Sequence, residues 1–105
     1  MANTYKKLAQ GQLAATVGIL YTVPALTSTI ISHIRLVNND TVLRAATLWH
    51  DGTANTNKIL PAADIGPGGW AEWDGRMTME AADTLQGQAS VATQITYTVY
   101  GLEIT

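Results

Sequence analysis

Short runs of alternating apolar and polar residues, separated by clusters of turn-forming residues, dominate this sequence. From Ile30 to Asn38, apolar residues occupy one face of an extended chain, while His33 and Arg35 fall on the other. The segment from Gln94 to Thr105 is rich in the β-branched and aromatic residues that favour strands. Many short strands at roughly even spacing predict a sandwich or a barrel.

Turn chemistry sets the boundaries of the predicted strands. Asn, Asp, Gly and Pro cluster at Asn38–Asp40 and Gly66–Gly69, and Asp74–Gly75 is predicted to form a hairpin turn. No helix is predicted, although residues 2–9 could form a single turn. The predicted strands are Lys6–Gln10, Gly18–Val23, Thr29–Asn38, Val42–His50, Lys58–Pro61, Gly69–Glu72, Met77–Glu80, Thr84–Ala89 and Ile95–Ile104.

The chain length of 105 residues fits one domain. Residues 1–10 precede the regular alternation and are predicted to form an N-terminal arm or a first edge strand, with a sandwich over residues 11–105. The predicted fold is therefore all-β: one antiparallel β-sandwich or jelly-roll-like domain with a short N-terminal arm. The expected core consists of Leu20, Val23, Ile30, Ile34, Leu36, Leu48, Ile59, Leu85, Ile95, Tyr97 and Val99.

Charge and composition exclude several functional classes. Only 13% of residues are charged and the net charge is -2, so the clustered basic footprint that duplex nucleic acid requires is missing. The absence of cysteine excludes disulfides, thiolate metal sites and thiol catalysis. The longest apolar stretches are shorter than the ~20 residues of a membrane helix, and the N-terminus does not resemble a signal peptide. We expect neither nucleic acid nor membrane as a partner.

The two histidines offer little for metal or acid–base chemistry. His33 and His50 lack the close spacing of metal ligands, and a metal site needs three or four converging groups. His50 precedes Asp51, which could suggest an oriented general base, but adjacent strand residues point to opposite faces. We expect no metal, no cofactor and no catalytic histidine.

A pair of carboxylates is the best candidate for catalysis. Glu72 and Asp74 are two residues apart, so a strand would place them on one face about 6.5 Å apart. This separation lies in the range that glycosidase carboxylates use. Solvated turn charges explain the same pattern, and a chain this short seldom provides a deep cleft. The protein is not expected to be an enzyme.

The three tryptophans raise the alternative of carbohydrate binding, because flat aromatic faces stack on sugar rings. Trp70 and Trp73 differ by an odd number, so one regular strand would send them to opposite faces. At least one of Trp70 and Trp73 is therefore expected in the core or in a subunit interface, where tryptophan is enriched.

Several segments together carry a family resemblance. They are the run Gln12–Ala25 with its Leu20-Tyr21-Thr22-Val23-Pro24, the strand Ile30–Asn38, and the segments Gly68–Trp73, Met79–Leu85 and Ile95–Ile104. This order is similar to that of small virion proteins of tailed phages. Ala82 stands where that family has a glycine, the residue that usually supplies a positive φ.

The resemblance implies a non-enzymatic β-sandwich subunit of a virus particle. Such proteins decorate capsids or occur in tails and fibres. Sheet edges that carry few charges also favour association with other chains. We therefore predict a homo-oligomeric, first of all trimeric, capsid decoration (cement) protein that bridges subunits of the phage major capsid protein. It would lie on the capsid surface of the virion after assembly in the host cytoplasm.

The predicted contacts with a neighbouring subunit or with the capsid are Tyr5, Lys6 and Lys7 of the arm, together with Trp49, Trp70 or Trp73. Two alternatives stay open at this point. One is a tail or fibre domain whose loops bind a glycan on the host surface, and the other is a stand-alone carbohydrate-binding module.

Overall fold

The computed structural model describes residues 3–105 and is built almost entirely from strands. The eight strands are β1 (Asn3–Gln12), β2 (Gly18–Thr22), β3 (Ser28–Asn38), β4 (Arg44–His50), β5 (Lys58–Ile65), β6 (Trp70–Met79), β7 (Thr84–Ala89) and β8 (Ile95–Ile104). A 3-10 turn, Asn55–Asn57, lies between β4 and β5. In this part of the chain no helix has the length and apolar character to cross a membrane.

The strands pair in a nested order. Sheet A has the order β1-β8-β3-β6 and sheet B the order β2-β7-β4-β5, with antiparallel neighbours throughout. The innermost pair is β4 with β5, followed outward by β3 with β6, β2 with β7 and β1 with β8. The chain therefore resembles one long hairpin folded over into two layers, as in a jelly roll. The predicted all-β sandwich is confirmed.

Apolar side chains from both sheets fill the space between the two layers. Burying one leucine or isoleucine completely contributes about 1.5–3 kcal/mol, so this layer supplies most of the driving force for folding. Three of the expected core residues, Leu20, Ile59 and Tyr97, are only partly buried and pack against its margin. The buried cluster consists of Leu13, Val23, Ile31, Ile34, Leu36, Ala46, Leu48, Ile65, Met77, Met79, Leu85, Ala89, Ile95 and Val99.

A β-bulge in β3 explains one wrong core prediction. Ile31 pairs with Gly101 of β8, whereas His33 pairs with the adjacent Tyr100, so Ser32 is an extra residue in β3. The bulge shifts the alternation by one residue, and Ile31 is buried instead of Ile30. The prediction of Ile30 in the core was wrong because it assumed an unbroken period of two.

The predicted hairpin turn at Asp74–Gly75 is also wrong. The strand β6 continues through this dipeptide, and the extra residue opposite β3 makes a second bulge there. Asp-Gly tolerates a bulge as well as a turn, because both need unusual backbone angles. Strand β5 likewise runs past Pro61 to Ile65, which an edge strand allows.

Two small residues permit local geometry that other side chains would disturb. A Cβ atom at Gly101 would lie 2.3 Å from the carbonyl oxygen of Ile30, so β8 approaches β3 too closely for any side chain. Ala82 has φ of 73°, the left-handed conformation that glycine adopts most easily. The turn between β6 and β7 thus has the backbone expected of a glycine, with an alanine in its place.

Candidate interaction surface

The outer face of sheet A, which points away from the core, is the candidate interaction surface. It consists of cross-strand rows in the order β1, β8, β3, β6: Tyr5-Leu102-Ile30-Thr78, Lys7-Tyr100-His33-Asp74, Gln10-Thr98-Arg35-Glu72 and Gln12-Thr96-Val37-Trp70. Aromatic rings, cations and carboxylates therefore lie within neighbouring rows. Of these residue types, tryptophan, tyrosine and arginine are enriched in protein interfaces.

His33 lies at the centre of this face, between two carboxylates. Its Nε2 is 2.8 Å from Oε2 of Glu72, and its Nδ1 contacts the carboxylate of Asp74. The imidazole also packs against the ring of Tyr100, with 6.0 Å between ring centroids. Because carboxylates only accept hydrogen bonds, a ring with both nitrogens protonated satisfies both contacts at once. The two β6 carboxylates thus bind His33 on β3.

Trp70 exposes its ring at the β6 edge of the face. The guanidinium carbon of Arg35 lies 5.4 Å from the ring centroid, within the range of a cation–π interaction. Arg35 also approaches Glu72 at 3.9 Å. Trp70 is 59% exposed, so Arg35 orients its ring without covering it. Trp73 packs against the core cluster, so the odd spacing of the two tryptophans does separate them.

The arm residues predicted as contacts belong to β1 at the opposite edge of sheet A. Tyr5 is 67% exposed, and its hydroxyl lies 2.5 Å from Oγ of Ser32. Lys7 donates from Nζ to Oε1 of Gln10 at 3.0 Å on the outer face. Residues 3–7 are all exposed although they pair with β8, which leaves them available to another molecule.

Lys6 takes part in a polar network between the two sheets. Its Nζ is 2.7 Å from Oε1 of Glu103, while the hydroxyl of Tyr21 donates to Oε2 of Glu103 at 2.5 Å and lies 2.9 Å from Oγ1 of Thr29. The hydrogen bond from Lys6, followed by that from Tyr21, lowers the pKa of Glu103. Burial, followed by the bond to Glu103, raises the pKa of Tyr21 to about 12. Through Glu103, the network links β1 and β2 to β8.

Trp49 is buried in sheet B and differs from the other two tryptophans. It is 6% exposed, and its Nε1 has no hydrogen-bond partner among residues 3–105. A contact of Trp49 or Trp73 with another molecule stays a prediction. The Nε2 atom of the neighbouring His50 is 3.9 Å from the Asp83 carboxylate, which lies in the turn after β6.

The contribution of His33, Arg35 and Tyr100 to this surface was not predicted from the sequence. Strand period placed His33 and Arg35 on the outward face of β3 and paired Glu72 with Asp74, but it did not show that β3 lies beside β6. In the described part of the chain, no group of three or more His, Cys, Asp or Glu side chains is arranged to hold a metal ion.

No protein-family model matches the chain, and no curated protein matches its sequence. Solved structures do match its fold. A chain of Bacillus endospore appendages, described as disulfide-linked pili, matches with a TM-score of 0.60 and 17% identity over 98% of this chain and 88% of that chain. A chain of the acid-stable capsid of Helicobacter pylori bacteriophage KHP30 matches with a TM-score of 0.59 and 10% identity over 100% and 94%, respectively.

A third likeness covers only part of a larger protein. A chain of infectious bursal disease virus, Gx strain, matches with a TM-score of 0.50 and 13% identity over 97% of this chain but 32% of that chain. At these identities the likenesses establish a shared fold. That fold occurs in subunits of two viral particles and of a pilus.

Proposed function

We propose that this chain is a structural subunit of a tailed-phage particle: a homo-oligomeric decoration protein that binds the assembled capsid and stabilises it. The observation that supports this role most directly is the likeness to a chain of a phage capsid structure, which covers 100% of this chain and 94% of that chain. The pilus likeness points to the same broad activity, since a pilus is also built from repeated subunits.

The outer face of sheet A is the surface that suits such a contact. Tyr5 and Trp70 expose aromatic area at its two edges, and Lys7, Arg35 and Asp74 add charges of both signs. Tryptophan, tyrosine and arginine are the residue types enriched in protein interfaces. We infer that Trp70 and Tyr5 contact the major capsid protein or a neighbouring copy, and that the trimer is the first oligomer to test.

The proposed role is structural and not catalytic. Glu72 and Asp74 are the only carboxylate pair that the sequence offered for glycoside hydrolysis, and both bind the His33 imidazole instead of facing a common cleft. The Glu72→Gln, Asp74→Asn double variant should therefore show the same background rate of sugar hydrolysis as the unchanged purified protein.

Stabilisation of a capsid would follow from mass action. A protein that binds the assembled shell but not its dissociated subunits shifts the equilibrium toward the shell. The low charge of the chain favours many copies on one surface, because repulsion between them stays small.

The decisive experiment compares particles produced with and without this chain. Heating in the presence of a DNA-binding dye gives the temperature of genome release, which the chain should raise. Trp70→Ala should reduce both particle binding and this increase, whereas Ile19→Ala, which removes an equally exposed apolar side chain from sheet B, should not. Equal release temperatures with and without the chain would reject the decoration role.

A second candidate keeps the phage setting but places the domain in a tail or fibre that binds a host glycan. The exposed ring of Trp70 favours it, because stacking on a sugar requires an accessible ring. Titration with soluble surface glycans should then shift tryptophan fluorescence, and Trp70→Ala should abolish the shift. A glycan response without any effect on genome release would favour this candidate.

A further inference from the structure

We propose that copies of this chain join edge to edge through sheet A, with β1 of one copy adding to β6 of the next so that Lys7 faces Asp74. The contact specifies how the homo-oligomer of the proposed function would form. It is tested without any capsid, so that the two proposals fail independently.

The edges of sheet A are long and open. Strands β1 and β6 have ten residues each, and each pairs with one neighbour only. The edges of sheet B are blunted: β2 has five residues, and β5 contains Pro61, two register shifts and Ala62 at φ of 32°. Short strands and prolines are among the usual means of preventing edge-to-edge pairing. Each edge strand of sheet A also contains a bulge, after Lys7 in β1 and after Asp74 in β6. Neither strand is short and neither contains proline, so an added strand fits sheet A better.

Strand direction favours a contact between unlike edges. Three antiparallel steps separate β1 from β6, so the two edge strands run in opposite directions. A second copy placed beside the first in the same orientation therefore presents its β1 antiparallel to β6. Sheet A then continues from one copy into the next with the same alternation of strand direction.

Charge selects the register of this contact. Lys7 and Asp74 end the same cross-strand row, so copies joined without a shift place the ammonium group opposite the carboxylate. The Asp74 side chain is 79% exposed and can reach a new partner. Opposite charges on directly facing residues stabilise a strand pair, and like charges destabilise it.

The same charges disfavour a contact between like edges. An antiparallel β1–β1 pair would bring Lys6 and Lys7 of both copies together, and a β6–β6 pair would do the same with Glu72 and Asp74. A β1–β6 contact avoids both arrangements. Because the contact joins two different edges, an open row of copies always has a free β1 edge at one end and a free β6 edge at the other. Growth therefore stops only when a ring closes.

Engineered cysteines test the contact directly, because the chain has no cysteine of its own. Directly opposed residues of an antiparallel pair lie about 4.5–5.5 Å apart at Cα, which suits a disulfide. We expect an oxidised mixture of the Lys7→Cys and Asp74→Cys variants to form a mixed disulfide dimer, whereas each variant alone stays monomeric under denaturing conditions. Lys58→Cys, an exposed position on β5, is the matched control when mixed with Asp74→Cys.

Charge reversal gives a non-covalent test by sedimentation velocity up to millimolar concentration. Lys7→Glu or Asp74→Lys should weaken self-association about tenfold, since an attraction becomes a repulsion of similar size, and the double reversal should restore it. Lys58→Glu should have no effect. A mixed disulfide no more abundant than with the Lys58→Cys control, dimers of Lys7→Cys alone, or a chain that stays monomeric would each overturn the proposal.

Discussion

The two sheets of this sandwich share one core but present different outer faces and edges. Sheet A carries an imidazole between two carboxylates, an exposed Trp70 beneath Arg35, and long open edges. Sheet B presents mainly threonine and glutamine on the outward positions of β7, namely Thr84, Gln86 and Gln88, and its edge strands are short or interrupted.

This difference shows how a small chain can separate two requirements. Binding other molecules calls for the aromatic residues and arginine that are enriched in protein interfaces, and resisting strand addition calls for edge strands that are short or interrupted. Here each requirement is met by a different layer. We therefore expect substitutions on sheet A to change association, and those at the margins of sheet B to leave it unchanged.

The largest expected effect concerns backbone packing inside sheet A. Gly101→Ala would place a Cβ atom 2.3 Å from the Ile30 carbonyl oxygen, so β8 must separate from β3. We expect a loss of about 3–5 kcal/mol in the free energy of unfolding, or failure to fold. Gly18→Ala in β2 is the matched control, because its Cβ would meet nothing within 4 Å. Similar urea midpoints for the two variants would contradict this contrast.

The next effect concerns a buried link between the two sheets. Asn38, at the end of β3, donates from Nδ2 to the carbonyl oxygens of Ile65 at 2.9 Å and Val42 at 3.0 Å, and accepts from the Asp40 amide at 2.9 Å. Asn38→Leu leaves these groups unpaired and should cost about 3 kcal/mol.

Asn39→Leu is the control for this link. Its Nδ2 donates to Oγ1 of Thr96 on the exposed surface, where water can replace it. The loss should stay below about 1 kcal/mol. Chemical denaturation of both variants measures the difference, and equal losses would show that Asn38 does not link the layers.

A smaller effect is expected from the network of Tyr21 and Glu103, which also joins the sheets. Because the pKa of Glu103 is lowered from 4.5, its contribution is present above pH 4.5 and is lost as pH falls through the lowered pKa. Because the pKa of Tyr21 is raised from 10.0 to about 12, its contribution is present below pH 10.0 and is lost as pH rises toward 12.

Unfolding free energies measured across this pH range should separate the two groups. Glu103→Gln should flatten the acid side and Tyr21→Phe the alkaline side, each with a loss of about 1 kcal/mol near neutral pH. Tyr5→Phe, which removes an exposed tyrosine hydroxyl from sheet A, is the matched control. An alkaline side that Tyr21→Phe does not alter would remove Tyr21 from the network.

The smallest effect concerns the turn that leads from sheet A to sheet B. At φ of 73°, Ala82 is strained, and glycine relieves that strain at the cost of a more flexible unfolded chain. Ala82→Gly should therefore raise the free energy of unfolding by up to about 1 kcal/mol. Ala81→Gly, at a residue without a positive φ, should lower it by a similar amount. Thermal denaturation of the two variants should shift in opposite directions.

The existence of the strands could be predicted from the sequence, because period-two alternation and turn clusters are local signals. Their interruptions could not. The bulges at Ser32 and Gly75 each insert a single residue. Because of the first, Ile30 was predicted in the core in place of Ile31, and because of the second, β6 was predicted as two strands. A bulge depends on the partner strand, which local alternation does not contain.

The interaction surface was predictable only in fragments. Strand period placed Glu72 and Asp74 on one face and turned His33 outward, but their meeting depends on β3 lying beside β6, about forty residues further along the chain. The exposure of Trp70 and the burial of Trp49 depend in the same way on which faces the layers cover. Sequence spacing shows which side chains share a face, and topology decides which faces meet.

The nested pairing has a consequence for the order in which the layers can form during synthesis. Sheet B is complete once β7 has emerged from the ribosome, because its order is β2-β7-β4-β5. Sheet A must wait for β8, the strand that lies between β1 and β3. Until then β1 has no partner within its sheet. Sheet A, which we propose joins one copy to another, is thus the last layer to form. A nascent chain therefore cannot pair through both β1 and β6 of a complete sheet A before β8 has been added.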